Sequence, residues 1–446
     1  MRRAWLAACA PLLAGTVLAA PTLPDDPASC GRCHPGHYRE WAGSMHAYAV
    51  KDPVFRAMNR LGQDATGGKL GDFCVACHAP LAVRRGLTRD GLNLDQVPET
   101  LHGVTCQFCH TVEAVEGGHN HPLRLAGDGA VRGGIADPVA NAVHASRYSA
   151  LHDHARPESA ALCGSCHDID TPPPTPVALE RTFREWRTSV YARPRDRGGL
   201  TCGGCHMPGR DGPAADVPDA PPRRVHSHRW PGVDVALEDF PDKEAQRAAI
   251  QRLLDSAVAG RLCVGMGKRG VELRVTLENL AAGHAFPSGA AQDRRLWVEV
   301  SARRGGKQVF ASGLEGPEPP AQGAGDPRPW VFRDILRDVH GAETHRFWEA
   351  ARIESKLLPV PVADAQGRAA HHVSRTYRYP DRRLPDTVEV AVRLRPIGRD
   401  VLDELVRLGY LEAEDREQVP TFGLGGARLS WRAAAGRTCV EPAARR

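Results

Sequence analysis

Two cysteines separated by two residues, with a histidine directly after the second cysteine, occur five times in this sequence. The copies occupy residues 30–34, 74–78, 106–110, 163–167 and 202–206. This spacing suits covalent attachment of c-type haem, because two thiols form thioethers with the vinyl groups and the histidine becomes the proximal iron ligand. Half of a zinc site or a thioredoxin-like redox motif could explain one copy, but neither needs a histidine at every copy. The sequence therefore predicts five c-type haems.

The residues expected to hold these haems follow from the pentads. Thioether bonds are predicted at Cys30, Cys33, Cys74, Cys77, Cys106, Cys109, Cys163, Cys166, Cys202 and Cys205. Proximal iron ligands are predicted at His34, His78, His110, His167 and His206. The cysteines left over are Cys9, Cys263 and Cys439. In an oxidising compartment Cys263 and Cys439 are expected to form a disulfide, and two separately buried thiols are the alternative.

Each iron needs a second, distal ligand if it is to be six-coordinate. Fifteen histidines lie outside the pentads, and ten of them lie before residue 231. The first candidates are His46, on a predicted helix, His144, which begins a helical-looking stretch at 144–148, and His228, which follows the fifth pentad across a proline-rich linker. Weaker candidates are His119, His121 and His152. For any of them, a surface or packing role is the alternative to iron ligation.

Two regions of the chain must position the cysteines and histidines. Residues 26–230 hold every pentad, so the porphyrins must supply much of the buried apolar surface, and we expect helices and loops without a sizeable sheet. Apolar residues at helical spacing predict a connecting helix at 242–258. The pattern then alternates with period two at 271–277, 296–301, 308–312 and 387–394, with a turn at 303–306. The predicted fold is α+β, with a helical haem domain followed by an antiparallel β-sandwich.

The predicted boundaries are a signal peptide at 1–19, a pentahaem domain at 26–230, a linker helix at 231–260 and a β-rich domain at 261–446.

An internal repeat lies within the haem domain. Residues 39–47 and 184–192 share five identities over nine positions, and each segment follows a pentad. We expect a duplicated module of two haems, formed by the first and second pentads and by the fourth and fifth, with the third pentad between them. In this alignment Tyr191 replaces His46. Tyrosine can ligate haem iron, or it can simply pack or bind a propionate.

Another histidine lies in an unusual loop between the first two predicted strands. His284 belongs to residues 282–289, with glycine on one side and Phe286 and Pro287 on the other. From such a loop an imidazole could reach a haem as a distal ligand, or it could form hydrogen bonds only within its own turn. Both possibilities are open from the sequence.

The N-terminus predicts export. Arg2 and Arg3 precede an apolar run, and residues 17–19 fit a small-residue cleavage site. The run is too short and too interrupted for a retained membrane anchor, and no later segment is expected to span a membrane. A periplasmic or secreted location agrees with covalent haem attachment, which takes place outside the cytoplasm. The formal net charge of +5 does not indicate nucleic-acid binding, because haem propionates would make the mature protein acidic.

Residues 28–230 resemble the multihaem cytochrome superfamily of the cytochrome c-552/4 and hydroxylamine oxidoreductase type, which includes pentahaem nitrite reductase. The resemblance is carried by the pentads and by Tyr38, Arg39, Glu40, Trp41, Ser44, His46 and Ala47. It implies closely packed haems in parallel and perpendicular pairs, with distal histidines from distant segments. The loop at 282–289 resembles one found in multihaem cytochromes with a C-terminal β-domain. No pentad ends in lysine, as the catalytic haem of the nitrite reductases does, and the hydroxylamine enzymes carry eight haems, so neither activity is expected here.

The function most consistent with these features is electron transfer by an exported protein in an anaerobic or respiratory chain. Its expected partners are cytochromes or quinol-linked oxidoreductases, and oligomers are possible. One alternative is an enzyme that acts on a small nitrogen or sulfur compound at one five-coordinate haem, for which Tyr191 is the main indication. Another is a subunit of an extracellular haem filament.

Overall fold

The computed structural model describes residues 23–173, 176–314, 329–363, 366 and 370–442. The predicted signal peptide at 1–19 lies outside the described residues, and so does its cleavage site. The fold is α+β, as predicted, with a helical first half and antiparallel sheets in the second half. None of the described helices is long and apolar enough to cross a membrane.

Short helices dominate the first half. They are α1 (Pro27–Gly31), α2 (Pro35–Ala42), α3 (Met45–Tyr48), α4 (Pro53–Thr66), α5 (Val75–His78), α6 (Pro80–Arg84), α7 (Cys106–Thr111), α8 (Ser159–Gly164), α9 (Thr182–Thr188) and α10 (Cys202–His206). Single 3-10 turns lie at Leu94–Gln96, Glu99–Leu101, Val190–Ala192 and Arg195–Arg197. Hydroxyl oxygens of Ser44, Thr105 and Thr201 accept backbone N–H groups at the starts of α3, α7 and α10. These caps stabilise helices that are too short to be stable alone.

The strands of the first half form isolated pairs. They are β1 (Val112–Val115) with β2 (Leu123–Leu125), β3 (Ala130–Gly133) with β4 (Ala145–Tyr148), β5 (Ile169–Asp170) with β6 (Ala178–Glu180), and β7 (Gly209–Pro213) with β8 (Pro222–His226). The β3–β4 pair is parallel and the others are antiparallel. As expected, the described part of this half contains no sheet larger than two strands.

The expected helix at 144–148 is wrong, because the structure has strand β4 there. Ala145 pairs with Ala130 and Tyr148 pairs with Gly133, so β3 satisfies the backbone of this segment. Five residues are too few for periodicity to distinguish a helix from a strand, and a partner more than ten residues away decides the outcome.

The second half begins with one long helix and continues mainly as strands. The elements are α11 (Lys243–Ala257), β9 (Val258–Gly267), β10 (Gly270–Asn279), β11 (Arg295–Arg304), β12 (Lys307–Ser312), β13 (Trp330–Arg337), β14 (Glu343–Thr344), β15 (Arg352–Lys356), β16 (His372–Tyr379), β17 (Thr387–Arg395), α12 (Arg399–Arg407), α13 (Ala413–Gln418), β18 (Phe422–Gly423), β19 (Leu429–Arg432) and β20 (Cys439–Val440). Further 3-10 turns lie at Phe347–Glu349, Gly425–Ala427 and Ala433–Ala435. The predicted connecting helix and the four predicted strands are all present.

Two antiparallel sheets enclose the main core. One has the strand order β16-β10-β9-β20, and the other has the order β14-β13-β11-β17-β18 with β12, β15 and β19 paired alongside. Leu273 and Leu277 of the first sheet are fully buried in one cluster with Leu296 and Val298 of the second. Alternate residues of each strand point into this cluster, as the period-two pattern requires.

The predicted disulfide between Cys263 and Cys439 is confirmed. Cys263 lies on β9 and Cys439 lies directly opposite on β20. The bridge therefore fastens the end of the described chain to the smaller sheet, across 176 residues of sequence.

The two halves also pack against each other. Val54, Ala57 and Leu61 form the apolar stripe of α4, and they lie in one buried cluster with Leu402 and Leu405 of α12. A second shared cluster joins Leu70, which lies between α4 and α5, and Leu179 of β6 to Leu336 of β13. The β-rich half is thus in fixed contact with the part of the chain that carries the pentads.

Candidate functional site

None of the ten pentad cysteines, all of which lie in the described residues, forms a disulfide, and each is partly buried. Helical turns position them: α7 and α10 begin at the first cysteine of their pentads, and α5 ends at a pentad histidine. In such a turn the two cysteines, three residues apart, lie on the same face, and the histidine follows directly. This is the arrangement that attachment to a single porphyrin requires.

Thiols of different pentads contact one another. Cys30 and Cys106, Cys163 and Cys202, and Cys77 and Cys166 lie close enough for the thiols of each pair to shift each other's pKa. The first pentad therefore lies beside the third, and the fourth lies beside both the second and the fifth. Of these three pairs, only the fourth and fifth pentads are also neighbours in sequence.

The proximal histidines are oriented by backbone carbonyls. Nδ1 of four of the five lies within hydrogen-bonding distance of one carbonyl oxygen: His34 with Ala214 at 2.7 Å, His78 with Ala49 at 2.9 Å, His110 with Arg132 at 2.6 Å and His206 with Pro231 at 2.8 Å. When Nδ1 donates to a carbonyl, the lone pair of Nε2 is available for a metal, and histidines that bind metals usually make such a bond through their other ring nitrogen. Burial also lowers the pKa of His167 to about 4, so this imidazole is neutral at physiological pH.

Three proximal histidines each face a second histidine ring. A metal–nitrogen bond is about 2 Å long, so two imidazoles on opposite sides of one metal ion have ring centres about 6 Å apart. The observed distances between ring centres are 6.4 Å for His34 and His144, 6.2 Å for His110 and His228, and 6.4 Å for His167 and His46. The residues present therefore fit an iron between the rings. The second members are the three histidines that the sequence ranked first.

One similar distance has a simpler explanation. His37 lies 6.0 Å from His34, but the two are three residues apart along the chain, where such a separation is ordinary. The ring of His37 packs instead against His228 at 4.7 Å.

The weaker candidates have other partners. His119 forms an ion pair with Asp170 at 3.5 Å, and Nε2 of His152 lies 2.9 Å from the carbonyl oxygen of Cys109. His121 adopts a positive φ of 61° and stacks on Phe108. These contacts favour packing roles for the three residues.

His284 lies close to the fourth and fifth pentads although it belongs to the β-rich half. Its loop connects β10 and β11, and its Nδ1 lies 2.7 Å from the carbonyl oxygen of Ala285. Burial lowers the pKa of His206, and the nearby His284 lowers it further. The loop thus carries an oriented, buried imidazole into the haem half.

The internal repeat is present, but it pairs different pentads from those expected. The backbone N–H of Val104 donates to the carbonyl of His46, and that of Leu200 donates to the carbonyl of Tyr191, both at 3.0 Å. Val104 and Leu200 each lie two residues before a pentad, the third and the fifth respectively. The equivalent modules therefore contain pentads one and three, and pentads four and five. The second pentad lies in an insertion, which a comparison by order along the chain could not detect.

Tyr191, which the sequence left as a possible haem ligand, binds a backbone carbonyl instead. Its hydroxyl donates to the carbonyl oxygen of Leu280 at 2.6 Å, which ties the second module to the end of β10. This geometry agrees with the packing alternative for Tyr191.

Comparison with known proteins also indicates a protein that binds c-type haem. Residues 29–111 match the profile of the family described as "Cytochrome c554 and c-prime". The fold is similar to the crystal structure of a penta-heme cytochrome c552 from Thermochromatium tepidum, with a TM-score of 0.62 and 19% sequence identity over 91% of this chain and 98% of that one. No curated protein matches the chain. The two matches support a multihaem c-type cytochrome, and the structural likeness extends through the β-rich half.

Proposed function

We propose that this chain is an exported pentahaem cytochrome that transfers electrons between redox proteins. The observation that carries the proposal is the set of three histidine pairs, each with one pentad histidine and ring centres 6.2–6.4 Å apart. A surface or packing role for His46, His144 and His228 would not require this common separation. The matches to a cytochrome family and to a penta-heme structure support the same conclusion.

Each pentad would attach one haem through its two cysteines, and its histidine would bind the iron on the proximal side. We assign His144 as the distal partner of His34, His228 of His110, and His46 of His167. His284 is assigned to His206, because its loop is bound to Glu185 of α9, whose neighbour Trp186 binds the chain leading into the fifth pentad, and because His167 already has a partner. We assign no distal partner to His78, whose ring stacks on Phe55 at 4.0 Å.

Haem iron supplies one-electron redox chemistry when bound. The chain's own residues would hold each imidazole in its neutral, ligating form, and the four assigned distal histidines would keep competing ligands away from four of the five irons. Contacts between thiols place the attachment points of pentads one and three, four and five, and two and four side by side. Cofactors attached there would be close neighbours, as electron transfer requires. The expected partners are other cytochromes or quinol-linked oxidoreductases.

A periplasmic or secreted location is part of the proposal. Covalent haem attachment takes place outside the cytoplasm, and the disulfide between Cys263 and Cys439 suits an oxidising compartment. The N-terminal signal predicted from the sequence agrees with both. Edman sequencing of the mature protein from the native host would test this, and an N-terminus before residue 17 would contradict the predicted cleavage.

The decisive experiment combines intact mass with electron paramagnetic resonance of the oxidised protein. We expect five covalent haems and low-spin signals from at least four of them, because four distal histidines are assigned. Fewer than five haems, in a host with competent haem attachment, would contradict the cofactor assignment. Reduced protein should be reoxidised by a partner cytochrome or an electrode. Sustained turnover of nitrite or hydroxylamine at one high-spin haem would instead support the enzyme alternative.

A further inference from the structure

The repeated segments contain a glutamate followed by a tryptophan, and both side chains bind backbone groups. We call each pair a Glu-Trp clip: the first is Glu40 with Trp41 on α2, and the second is Glu185 with Trp186 on α9. The sequence comparison identified these residues as repeated, but it assigned them no partners.

The tryptophans hold the chain that leads into a pentad. Nε1 of Trp41 donates to the carbonyl oxygen of Val104 at 2.8 Å, and Nε1 of Trp186 donates to that of Leu200 at 2.9 Å. Each acceptor lies two residues before the first cysteine of a pentad, the third for Trp41 and the fifth for Trp186. The proximal histidines of these pentads are His110 and His206.

The glutamates hold segments that carry a distal histidine. Oε2 of Glu40 accepts the backbone N–H of His228 itself, at 2.7 Å. Oε2 of Glu185 accepts the backbone N–H of Ala285, the residue after His284, at 3.2 Å. A carboxylate that accepts from a backbone N–H makes a charge-assisted hydrogen bond, which fixes the segment more firmly than a neutral acceptor would.

The second clip makes additional contacts with its segment. Oε2 of Glu185 also accepts from the hydroxyl of Ser288 at 2.7 Å. Oγ1 of Thr182, at the start of α9, accepts the backbone N–H of Gly289 at 3.1 Å. The side chain of Glu185 is only 11% exposed, so solvent competes little for these bonds. The loop at 282–289 is thus fastened to α9 on both sides of Pro287.

We propose that each Glu-Trp clip holds the proximal pentad and the distal-histidine segment of the same haem in a fixed relation. The first clip would serve the haem of His110 and His228, and the second would serve the haem of His206 and His284. The inference rests on the proposed function, since it needs His228 and His284 to be distal ligands. Glu40 and Glu185 are positioning residues in this scheme, because they act through the backbone of the ligand segment.

The equivalence of the clips strengthens the second assignment. His228 follows a short strand of the haem half, whereas His284 lies in a loop of the β-rich half, so their own surroundings share no structure. They are alike because equivalent glutamates of the repeat bind their segments. In each case the adjacent tryptophan binds the chain that leads into the nearby pentad.

The test uses the haem-loaded protein and the variants Glu185→Leu, Glu185→Gln and His284→Ala. Leucine removes both acceptor oxygens, whereas glutamine keeps one. We expect His284→Ala to convert one low-spin haem to a high-spin form that binds added cyanide. Glu185→Leu should perturb the same haem, with a shifted paramagnetic resonance signal and a partly high-spin form, and glutamine should restore most of the native signal. The exposed Glu244→Leu on α11 is the matched control, and it should leave every haem signal unchanged.

The outcomes distinguish the assignment of His284 as a ligand from the proposed role of the clip. An unchanged spectrum in His284→Ala would overturn the ligand assignment, and with it the second clip. A changed spectrum in His284→Ala with a native spectrum in Glu185→Leu would overturn the clip alone. If Glu185→Leu fails to take up haem, Ser288→Ala decides, because it removes one donor to Glu185 and leaves the carboxylate in place. A shift confined to the haem identified by His284→Ala supports the clip, and no shift overturns it.

The first clip offers an independent repeat of the experiment. Glu40→Leu should perturb the haem identified by His228→Ala and leave the haem identified by His284→Ala unchanged. Glu185→Leu should show the reverse pattern. Perturbation of both haems by either single variant would indicate general loosening and would overturn a clip that serves one haem.

Discussion

The two haem modules have the same framework but draw their distal histidines from different parts of the molecule. In the first module, α2 holds the pentad at 106–110 and the segment of His228, and both lie within the haem half. In the second, α9 holds the pentad at 202–206 and a loop of the β-rich half. The repeat therefore preserves the Glu-Trp clip, whereas the segment that carries the histidine can belong to either half of the molecule. The β-rich half accordingly belongs to the second module as well as forming a body of its own.

The position occupied by His46 and Tyr191 shows a second difference between the modules. The backbone carbonyls of His46 and Tyr191 each accept a backbone N–H in the same way. The ring of His46, however, faces His167, which belongs to the first pentad of the second module. No further module follows the second one within the described residues. A histidine at 191 would thus have no corresponding pentad to serve, and Tyr191 binds Leu280 instead. The tyrosine is explained without an open iron, so Tyr191 gives no support to the enzyme alternative.

The largest effect should come from removal of the histidine that links the modules. His46→Ala should convert the haem of His167 from low spin to high spin, because one of its two nitrogen ligands is lost. Paramagnetic resonance and binding of added imidazole measure this directly. His37→Ala is a suitable control, since His37 packs against His34 and His228 and its removal should leave the haem of His167 unchanged. A native spectrum in His46→Ala would mean that the modules are not joined through this ligand.

Loss of the disulfide should distinguish the modules by stability. The chain-entropy estimate for a loop as long as that between Cys263 and Cys439 is about 5 kcal/mol, so replacing both cysteines by alanine should destabilise the β-rich half by up to that amount. In a denaturant titration followed by haem spectra, the haem assigned to His284 should change at lower denaturant than the haem assigned to His228. Simultaneous changes at both haems would show that the β-rich half does not contribute to one module specifically.

Smaller effects are expected from Trp41→Phe and Trp186→Phe. Each removes one hydrogen bond to a chain that leads into a pentad and preserves most of the ring packing, so each should cost about 1 kcal/mol of unfolding free energy. The redox potential of one haem should shift in each variant, that of His110 for Trp41 and that of His206 for Trp186. Spectroelectrochemical titration resolves the haems. The same haem shifting in both variants would contradict the equivalence of the modules.

The smallest effect is expected from Tyr191→Phe. Only the hydrogen bond to Leu280 is lost, and the stability should fall by less than about 1 kcal/mol because that site is partly exposed to water. All haem signals and the rate of reaction with nitrite should remain native. A new high-spin signal, or a changed reaction rate, would restore Tyr191 as a residue of an open iron site.

Much of the haem chemistry could be predicted because it depends on local spacing. A pentad contains its own candidate ligands, so the attachment residues could be proposed without tertiary information. The strands at 271–277 and 387–394 were also predictable, since alternation of apolar and polar residues reflects one buried face. Strand β4 was not, because five residues carry too little pattern and the partner strand β3 supplies the hydrogen bonds.

The sequence alone determined which residues can bind haem: five pentads, a surplus of histidines and two cysteines suited to a disulfide. It also contained the repeat, because a duplicated helix keeps its glutamate and tryptophan. Only the tertiary structure decided which pentads are equivalent and which histidine faces which, since these relations join residues that are far apart along the chain. His228 and Glu40 meet across 188 positions, and no local pattern encodes such a contact. Spacing along the chain specifies covalent attachment, whereas the pairing of the imidazoles depends on the packing of segments that are distant in sequence.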